Sequence, residues 1–344
     1  MGEEWTLFTE DEVLRAAGEG AKIQRSGPSV YAAGGRALII VLDAGDRPAG
    51  TRLADRRTVE LRGPFPDPVV SWFDRAGLPW LLYARLAGGD CVPLGRSGGV
   101  VRRDGDDLDL VLEEPLPFPL LDLLRPDRER RLPDLGWLTM LPHDKVGALR
   151  AFAEGWYADM APAGTEEPEA ATPLPVPLQV FYRLAAREPL MFGVHNEIYR
   201  PHDLEYDEDE GGVIVAAENQ GVWVRVVDPD EDDPEVHDDG DPDEEPLSGF
   251  LLQFTLAEAV MAAPYRASAE LTDAQWKRLA QRLTEVPLAR PAFLGPAASL
   301  HVAPGLVVIV QEGQEGNEGG VELTAGTFQR PALDALREPG VEWN

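Results

Sequence analysis

Cysteine and basic residues are scarce in this chain, and long apolar runs are missing. The one cysteine, Cys91, excludes an intrachain disulfide and a cysteine-based zinc cluster, which favours a reducing compartment. The longest apolar runs, such as Leu38–Leu42, have five residues, far short of the roughly 20 that a membrane-spanning helix needs. Residues 1–4 carry two glutamates instead of the basic residues that open a secretion signal. We therefore expect a soluble, cytoplasmic protein.

Positive charge is half as abundant as negative charge. The chain has 61 Asp and Glu against 31 Lys and Arg, a net charge of −30, which repels nucleic-acid phosphates and anionic lipids. Nineteen acids and a single base, Arg225, lie between Asp203 and Glu245, so this segment alone contributes −18. Such acidity serves either a cationic partner or plain solubility.

Recognisable catalytic and phosphate-binding motifs are lacking as well. None of the five histidines lies in a catalytic motif, and Ser97 lies in a turn sequence instead of a strand-to-helix elbow. His195 and His202 could share a metal, but no neighbouring cysteine or helical His pair supports such a site. We expect no catalytic residue, no metal and no cofactor. An enzyme with its site in residues 1–160, or between the two halves, is an open alternative.

The order of turn residues, helix caps and apolar runs predicts an α+β protein of two domains. Residues 1–160 form the first domain, which resembles no family that we recognise. The segment 161–177 holds five prolines among Ala, Glu and Thr, a composition typical of an extended linker. Residues 178–344 form the second domain, predicted as a mainly antiparallel sheet covered by helices.

Local signals predict the individual elements. Capping boxes at Thr9 with Glu12 and at Thr272 with Gln275 mark two helix starts, and Asp144 marks a third. Further helices are predicted around 67–77, 178–186 and 248–263. Strands are predicted at Leu38–Leu42, Trp80–Ala84, Leu108–Leu112, Val213–Ala217, Val222–Val227, Leu300–Val302, Leu306–Val310 and Val321–Leu323.

Several pieces of the second half are similar, in order and spacing, to the SUKH superfamily. They are Leu174–Pro175, the helical Leu178–Tyr182, the strand-turn-strand Val213–Trp223, Asp233–Val236 and the Ser248–Ala263 helix. The resemblance covers about Thr172–Asn344, and its most specific piece is Glu218-Asn219-Gln220-Gly221 between two strands. This fold is shared by a fungal cell-wall-synthesis regulator and by many bacterial immunity proteins. The resemblance implies partner binding instead of catalysis, in many relatives the neutralisation of a toxin that is often a nuclease.

The turn between the predicted strands has two interpretations. Gly221 permits a positive φ and Asn219 tolerates the left-handed region, which is typical of a purely structural hairpin. Alternatively, the amides of Asn219 and Gln220 face a ligand beside Trp223. We expect the connection to be antiparallel, because four residues are too few to join parallel neighbours.

The segment 228–245 has twelve acids and no base, which predicts an extended, solvated loop. Calcium binding is an alternative, because acids alternate at its start, but Asp233 stands where an EF-hand loop requires Gly. The third interpretation is a surface that attracts a basic partner. The candidate partner-binding residues are Asn219, Gln220, Trp223, Asp228, Asp230, Asp232, Asp233, Asp238, Asp239 and Asp241.

Together these observations predict a protein-binding module of the immunity type, which neutralises a basic, toxin-like protein by occluding it. A regulatory scaffold unrelated to toxins is the alternative. The acids of 228–245 are expected to speed association, whereas apolar anchors hold the complex, for which we consider Trp223, Phe192 and Tyr199.

Overall fold

The structure is a computed structural model that describes residues 5–43, 52–61, 65, 69, 71–72, 77–102, 107–125, 132–160, 174–312 and 320–344. Packing divides the chain into two compact units. The first comprises Met1–Arg131 with Asp159–Ala161, and the second comprises Leu132–Ala158 with Pro162–Asn344. Both units contain helices and strands, so the chain is α+β as predicted.

The first unit is built on an eight-stranded sheet in the order β1-β2-β3-β6-β7-β8-β5-β4. Its neighbouring strands are antiparallel except β3 and β6, which run parallel. β7 pairs first with β6 and then, beyond Arg96, with β8. The strands are β1 Lys22–Ser26, β2 Ser29–Ala33, β3 Leu38–Asp43, β4 Arg52–Leu53, β5 Thr58–Leu61, β6 Trp80–Arg85, β7 Cys91–Arg102 and β8 Leu108–Leu112.

The predicted apolar runs of the first half form the centre of this sheet. Leu38–Leu42 lies in β3, Trp80–Ala84 in β6 and Leu108–Leu112 is β8, and most of their side chains are buried. Helix α1, Glu10–Arg15, begins with the predicted capping box of Thr9 and Glu12. Helix α2 spans Phe118–Leu124. The helix predicted around 67–77 lies almost wholly outside the described residues.

The second unit contains two antiparallel sheets. In one, the order is β10-β11-β12-β13-β14, with β9 also paired to β11, and in the other it is β15-β19-β18-β17-β16. The predicted antiparallel pairing across the 218–221 turn is confirmed, because Ala217 of β11 pairs with Val224 of β12. The strands are β9 Glu197–Ile198, β10 Glu205–Asp207, β11 Gly212–Ala217, β12 Val224–Val227, β13 Glu235–Asp238, β14 Asp241–Pro246, β15 Tyr265–Thr272, β16 Thr284–Glu285, β17 Ala298–Ala303, β18 Leu306–Glu312 and β19 Gly320–Thr327.

The helices of this unit are α3 Lys145–Trp156, α4 Val176–Ala185, α5 Leu247–Ala262 and α6 Asp273–Leu279. The predicted caps are present, since Asp144 accepts from Gly147 N and Thr272 forms its capping box with Gln275. The apolar spacing of Phe250, Leu251, Phe254, Ala257 and Met261 in the sequence predicts that α5 presents one face to a core. Instead its residues are buried on all sides, because α3, α4 and strands of both sheets surround it. In the described part of the chain no helix is both long and apolar enough to cross a membrane.

Helix α3 lies on the far side of the boundary that the sequence predicted. The sequence placed it in the domain 1–160, whereas the packing places it in the second unit. Its aromatic face explains this, because Phe152 stacks on Trp156 and the Trp156 ring meets Phe328 edge to face. Residues 161–173 of the predicted linker lie outside the described residues. The last two linker residues, 176–177, are the first two residues of α4.

Candidate functional site

The acidic segment is folded, which corrects the expectation of an extended, solvated loop for most of its length. β13 and β14 form a hairpin, joined by Asp239 and Gly240. Both turn residues have positive φ, 52° and 82°, as a two-residue turn that follows the twist of the strands requires. Only residues 228–234 remain a connection between strands. The acids of the hairpin are therefore held in a fixed geometry.

Arg225, the only base among these acids, organises them. Its side chain is 1% exposed and lies on β12. Arg225 Nη1 is 2.5 Å from Asp238 Oδ2, and Nε is 2.9 Å from Asp243 Oδ2, while the guanidinium stands 4.7 Å above the Trp223 ring. Burial raises the pKa of the Asp243 carboxyl, and the Arg225 charge partly offsets this shift. A buried guanidinium needs such partners, because an unpaired charge in the interior is very costly.

Other acids of the segment have structural partners outside the hairpin. Asp233 accepts hydrogen bonds from the backbone N (2.8 Å) and the Oγ (2.7 Å) of Ser248, so it stabilises the start of α5. Glu245 is buried, and its carboxylate contacts Lys145 Nζ at 2.6 Å and accepts from Ala289 N at 2.8 Å. These two carboxylates therefore stabilise the fold.

The alternating acids considered for calcium form a turn. Asp228 Oδ1 accepts from the backbone N of Asp230 at 2.9 Å, which is an ordinary Asx turn. His195 and His202, considered as a metal pair, have separate neighbours, Asn219 and Asp203 respectively. Across the described ranges, no group of three or more His, Cys, Asp or Glu side chains is placed to hold a metal ion.

Strand register brings three connections to one end of the six-stranded sheet, which we call the apical end. Glu197 of β9 and Val224 of β12 both pair with Ala217, and Arg225 lies beside Asp238, the last residue of β13. The apical end therefore carries the loop 193–196 before β9, the turn 218–223 and the hairpin turn 239–240. The connection 228–234 lies at the opposite end. By register the β10–β11 turn lies at the opposite end, since Asp207 pairs with Gly212, yet Glu210 accepts from Gly240 N at 3.1 Å. The sheet is therefore curled enough to bring this acidic turn against the hairpin turn.

A buried carboxylate holds the loop 193–196. Glu258 of α5 is 1% exposed and accepts hydrogen bonds from the backbone N atoms of Val194 (2.7 Å), His195 (2.8 Å) and Asn196 (2.9 Å). Gly193 is required at the bend. Its φ is 105°, and a Cβ there would lie 1.8 Å from the backbone oxygen of Asn196. The loop thus has one well-defined conformation.

A second carboxylate holds the turn 218–223. Glu218 Oε2 accepts from Gln220 N at 2.7 Å and from Val222 N at 3.2 Å, and Gly221 adopts a φ of 74°. The two connections touch, since Asn219 Nδ2 is 3.4 Å from His195 Nδ1. Asn219, Gln220 and Val222 are exposed. The amide pair faces solvent at the apical end, as the ligand-facing interpretation of the turn requires.

The candidate partner-binding residues predicted from the sequence do not lie together in the structure. Asn219 and Gln220 lie at the apical end with Asp238, Asp239 and Asp241. The other selected acids, Asp228, Asp230, Asp232 and Asp233, lie at the opposite end. Trp223 is only 8% exposed and packs on Phe293 beneath the apical turn, and Phe192 is buried against Tyr182. Burial removes both rings from the set of surface anchors, whereas Tyr199 is half-buried.

Sequence reasoning missed four residues of this region. Arg225 was noted only as the lone base, although one base among nineteen acids is itself a signal of a buried ion pair. Glu258 gave a weaker signal, as one acid in a helix that is otherwise apolar around it. Val194 and Val222 gave none, because each stands beside residues typical of a core. Their exposure depends on how the chain bends.

Comparison of the chain with protein-family models, with curated proteins and with solved structures finds no match. The relationship to the SUKH superfamily therefore stays a prediction based on sequence order and spacing. The candidate site is defined by its geometry alone: an end of a sheet with two anchored loops, exposed amides and an acidic hairpin.

Proposed function

We propose that this chain is a cytoplasmic protein-binding module of the immunity type, which occludes the basic surface of a toxin-like partner. The distribution of charge supports the proposal. Residues 132–344 hold 39 of the 61 acids and 13 of the 31 bases, a net charge of −26, whereas residues 1–131 carry only −4. An acidic field of this strength accelerates the approach of a cationic protein and repels nucleic acids.

The observation that carries the proposal is the folded acidic hairpin. A solvated tail would serve solubility equally well. Here, however, acids lie on two paired strands, and the buried Arg225 forms ion pairs with Asp238 and Asp243 of these strands. The paired strands fix the backbone to which the outward carboxylates are attached, so a complementary basic surface can match their spacing. β14 is an edge strand with Pro242 and four acids, features that discourage another strand from pairing with it. The partner is therefore recognised by side chains and not by strand addition.

A nuclease toxin fits this chemistry. Enzymes that cleave nucleic acids bind the phosphate backbone with clustered Lys and Arg, and an acidic protein competes for the same surface. Occlusion requires no catalytic group in the inhibitor. The resemblance of 172–344 to immunity proteins supports the same reading.

The test begins with the partner, obtained by co-purification from the native host, and measures binding kinetics with purified proteins. One variant replaces six exposed acids of the segment by amides and leaves Asp233, Asp238 and Asp243 intact, because these serve the fold. The replaced acids are Asp230, Glu231, Asp232, Asp239, Asp241 and Glu244. A control variant of equal charge replaces six exposed acids elsewhere in the second unit, namely Glu154, Glu270, Asp273, Glu322, Asp334 and Glu342.

We expect the variant with six amides in the acidic segment to associate about tenfold more slowly at low salt, with a weaker dependence on salt and little change in dissociation rate. The control should stay within about twofold of the wild type, because distant charges are screened beyond roughly 8 Å at physiological salt. Equal slowing by both variants would mean that only net charge matters. Inhibition of the partner's activity by the chain tests the immunity part separately, and an active complex would refute it.

A further inference from the structure

Two of the most exposed apolar side chains of the described residues lie at the apical end. Val222 is 78% exposed and Val194 is 53% exposed. They stand on neighbouring connections, which the contact between Asn219 and His195 joins. Single exposed apolar residues are common on protein surfaces, but a pair on adjoining loops forms the start of an apolar patch.

Hydrogen bonds hold the backbone at both valines. Val194 is fixed by the hydrogen bonds of its loop to Glu258, and the backbone N of Val222 donates to Glu218. Beneath the turn, Trp223 packs against Phe293, which also meets Phe254 of α5. A surface that is ordered before binding loses little conformational entropy when it is covered, so each apolar contact contributes more to affinity.

The patch has an acidic rim. Glu197 and Glu218 border the two loops, and the hairpin turn with Asp239 and Asp241 lies at the same end of the sheet. The hairpin turn is three strands away from β9 across the sheet and contacts Glu210 of the β10–β11 turn, so its acids extend the negatively charged region beyond the immediate rim. An apolar centre inside a charged rim is typical of a protein interface. Because the rim is negatively charged, it favours a cationic occupant.

We infer that the apical end is the docking surface for a Lys- or Arg-bearing segment of a basic protein, with Val194 and Val222 as the apolar anchors. The inference rests on the proposed function and adds to it the place of the contact. In the complex, Asn219 and Gln220 hydrogen-bond to the occupant's backbone, and the rim carboxylates pair with its cations. Loss of the valines raises the dissociation rate, whereas loss of the hairpin acids lowers the association rate.

The experiment uses the full chain and a phage-displayed library of random dodecapeptides, so it does not depend on knowing the partner. Selected peptides are synthesised, and their affinities are measured by fluorescence anisotropy. The test variant is Val194→Ser with Val222→Ser. The matched control changes two apolar residues of similar exposure outside the apical end, Val176→Ser and Leu123→Ser, each 50% exposed in the wild type. Circular dichroism confirms that each variant is folded.

We expect the selected peptides to combine Lys or Arg with apolar residues, and to bind the test variant about tenfold more weakly, mainly through faster dissociation. The control should bind within about twofold of the wild type. Basic peptides that bind the test variant as tightly as the wild type would overturn the inference and leave the proposed function standing.

Peptides without basic residues that nevertheless need the valines would refute the basic partner and leave the site standing. Sedimentation velocity tests whether the occupant is instead a second copy of this chain. A dimer of the wild type that the two serines abolish would show that a second copy of this chain covers the patch, and would overturn our assignment of the occupant.

Discussion

Arg225 and Asp243 form an ion pair in which Nε and Oδ2 are 2.9 Å apart, and the arginine is almost completely buried. The carboxylates of the acidic segment repel one another, and this ion pair allows the segment to fold as a hairpin. Asp238 takes the other side of the guanidinium, and Trp223 covers its face. The exposed acids of the proposed interface are thus arranged by a cation that solvent does not reach.

Replacing Arg225 by Met should destabilise the second unit by about 3–5 kcal/mol, because it leaves the half-exposed Asp238 and the more buried Asp243 without their partner. Urea denaturation followed by tryptophan fluorescence measures the free energy of unfolding. In the double variant Arg225→Met with Asp243→Leu, much of that loss should return, because the more buried of the two orphaned carboxylates is gone. A cost below about 1 kcal/mol for the single change would contradict this role.

Gly193→Ala should destabilise the chain by more than about 3 kcal/mol, because a positive φ is combined with a collision of the new Cβ with Asn196. Gly295→Ala is the matched control. Gly295 has a φ of 114°, but nothing lies within 4 Å of the Cβ position, so only the backbone strain of about 1 kcal/mol applies. Thermal unfolding compares the two variants, and equal losses would show that the collision is relieved by movement of the loop.

Glu258→Gln should lower the free energy of unfolding by about 2–3 kcal/mol, since an amide loses the charge and one of the acceptor oxygens that bind the loop. Amide hydrogen exchange gives a local readout. The N–H groups of residues 194–196 should exchange faster, while those of β18 stay protected. Glu154→Gln on the exposed side of α3 is the control and should change neither quantity. Unaltered exchange at 194–196 would mean that the loop does not need the carboxylate.

Stability should decline as the pH falls below about 6.5, and His301 should contribute to that decline. Burial lowers the pKa of His301 below its ordinary value of 6.5, an effect that Glu285 and Glu312 partly oppose. The unfolded chain therefore binds the proton more readily, so stability present above this pH is lost below it. Denaturation of the wild type and of His301→Gln between pH 5 and 7.5 gives the difference in slope. Parallel curves would disprove the contribution.

A fragment that begins at Leu132 should fold, whereas one that begins at Leu174 should not. The shorter fragment lacks α3, whose Phe152 and Trp156 pack among the aromatic residues of the second unit, including Phe328. This revises the expectation that residues 178–344 form a domain by themselves. Near-ultraviolet circular dichroism of both fragments is the measurement. A cooperative unfolding transition in the shorter fragment would restore the boundary predicted from the sequence.

Much of the secondary structure could be predicted from local patterns. The capping boxes at Thr9 and Thr272 require residues only three positions apart, and the apolar runs of β3, β6 and β8 need no information from elsewhere in the chain. The antiparallel pairing of β11 and β12 follows from the shortness of their connection. The acidic hairpin escaped prediction, because charge repulsion within the segment was judged without the distant contacts that oppose it.

The sequence by itself determined the fold class, the helix starts, the main strands and the strong acidity of the second half, since each depends on composition or on neighbours along the chain. Tertiary structure decided which acids are structural and which are free to meet a partner. It buried Trp223 and exposed Val222, the residue before it. It also assembled the apical end from segments near residues 194, 220 and 240. Such choices depend on strand register and on the contacts of Arg225 and Glu258, which no local pattern specifies.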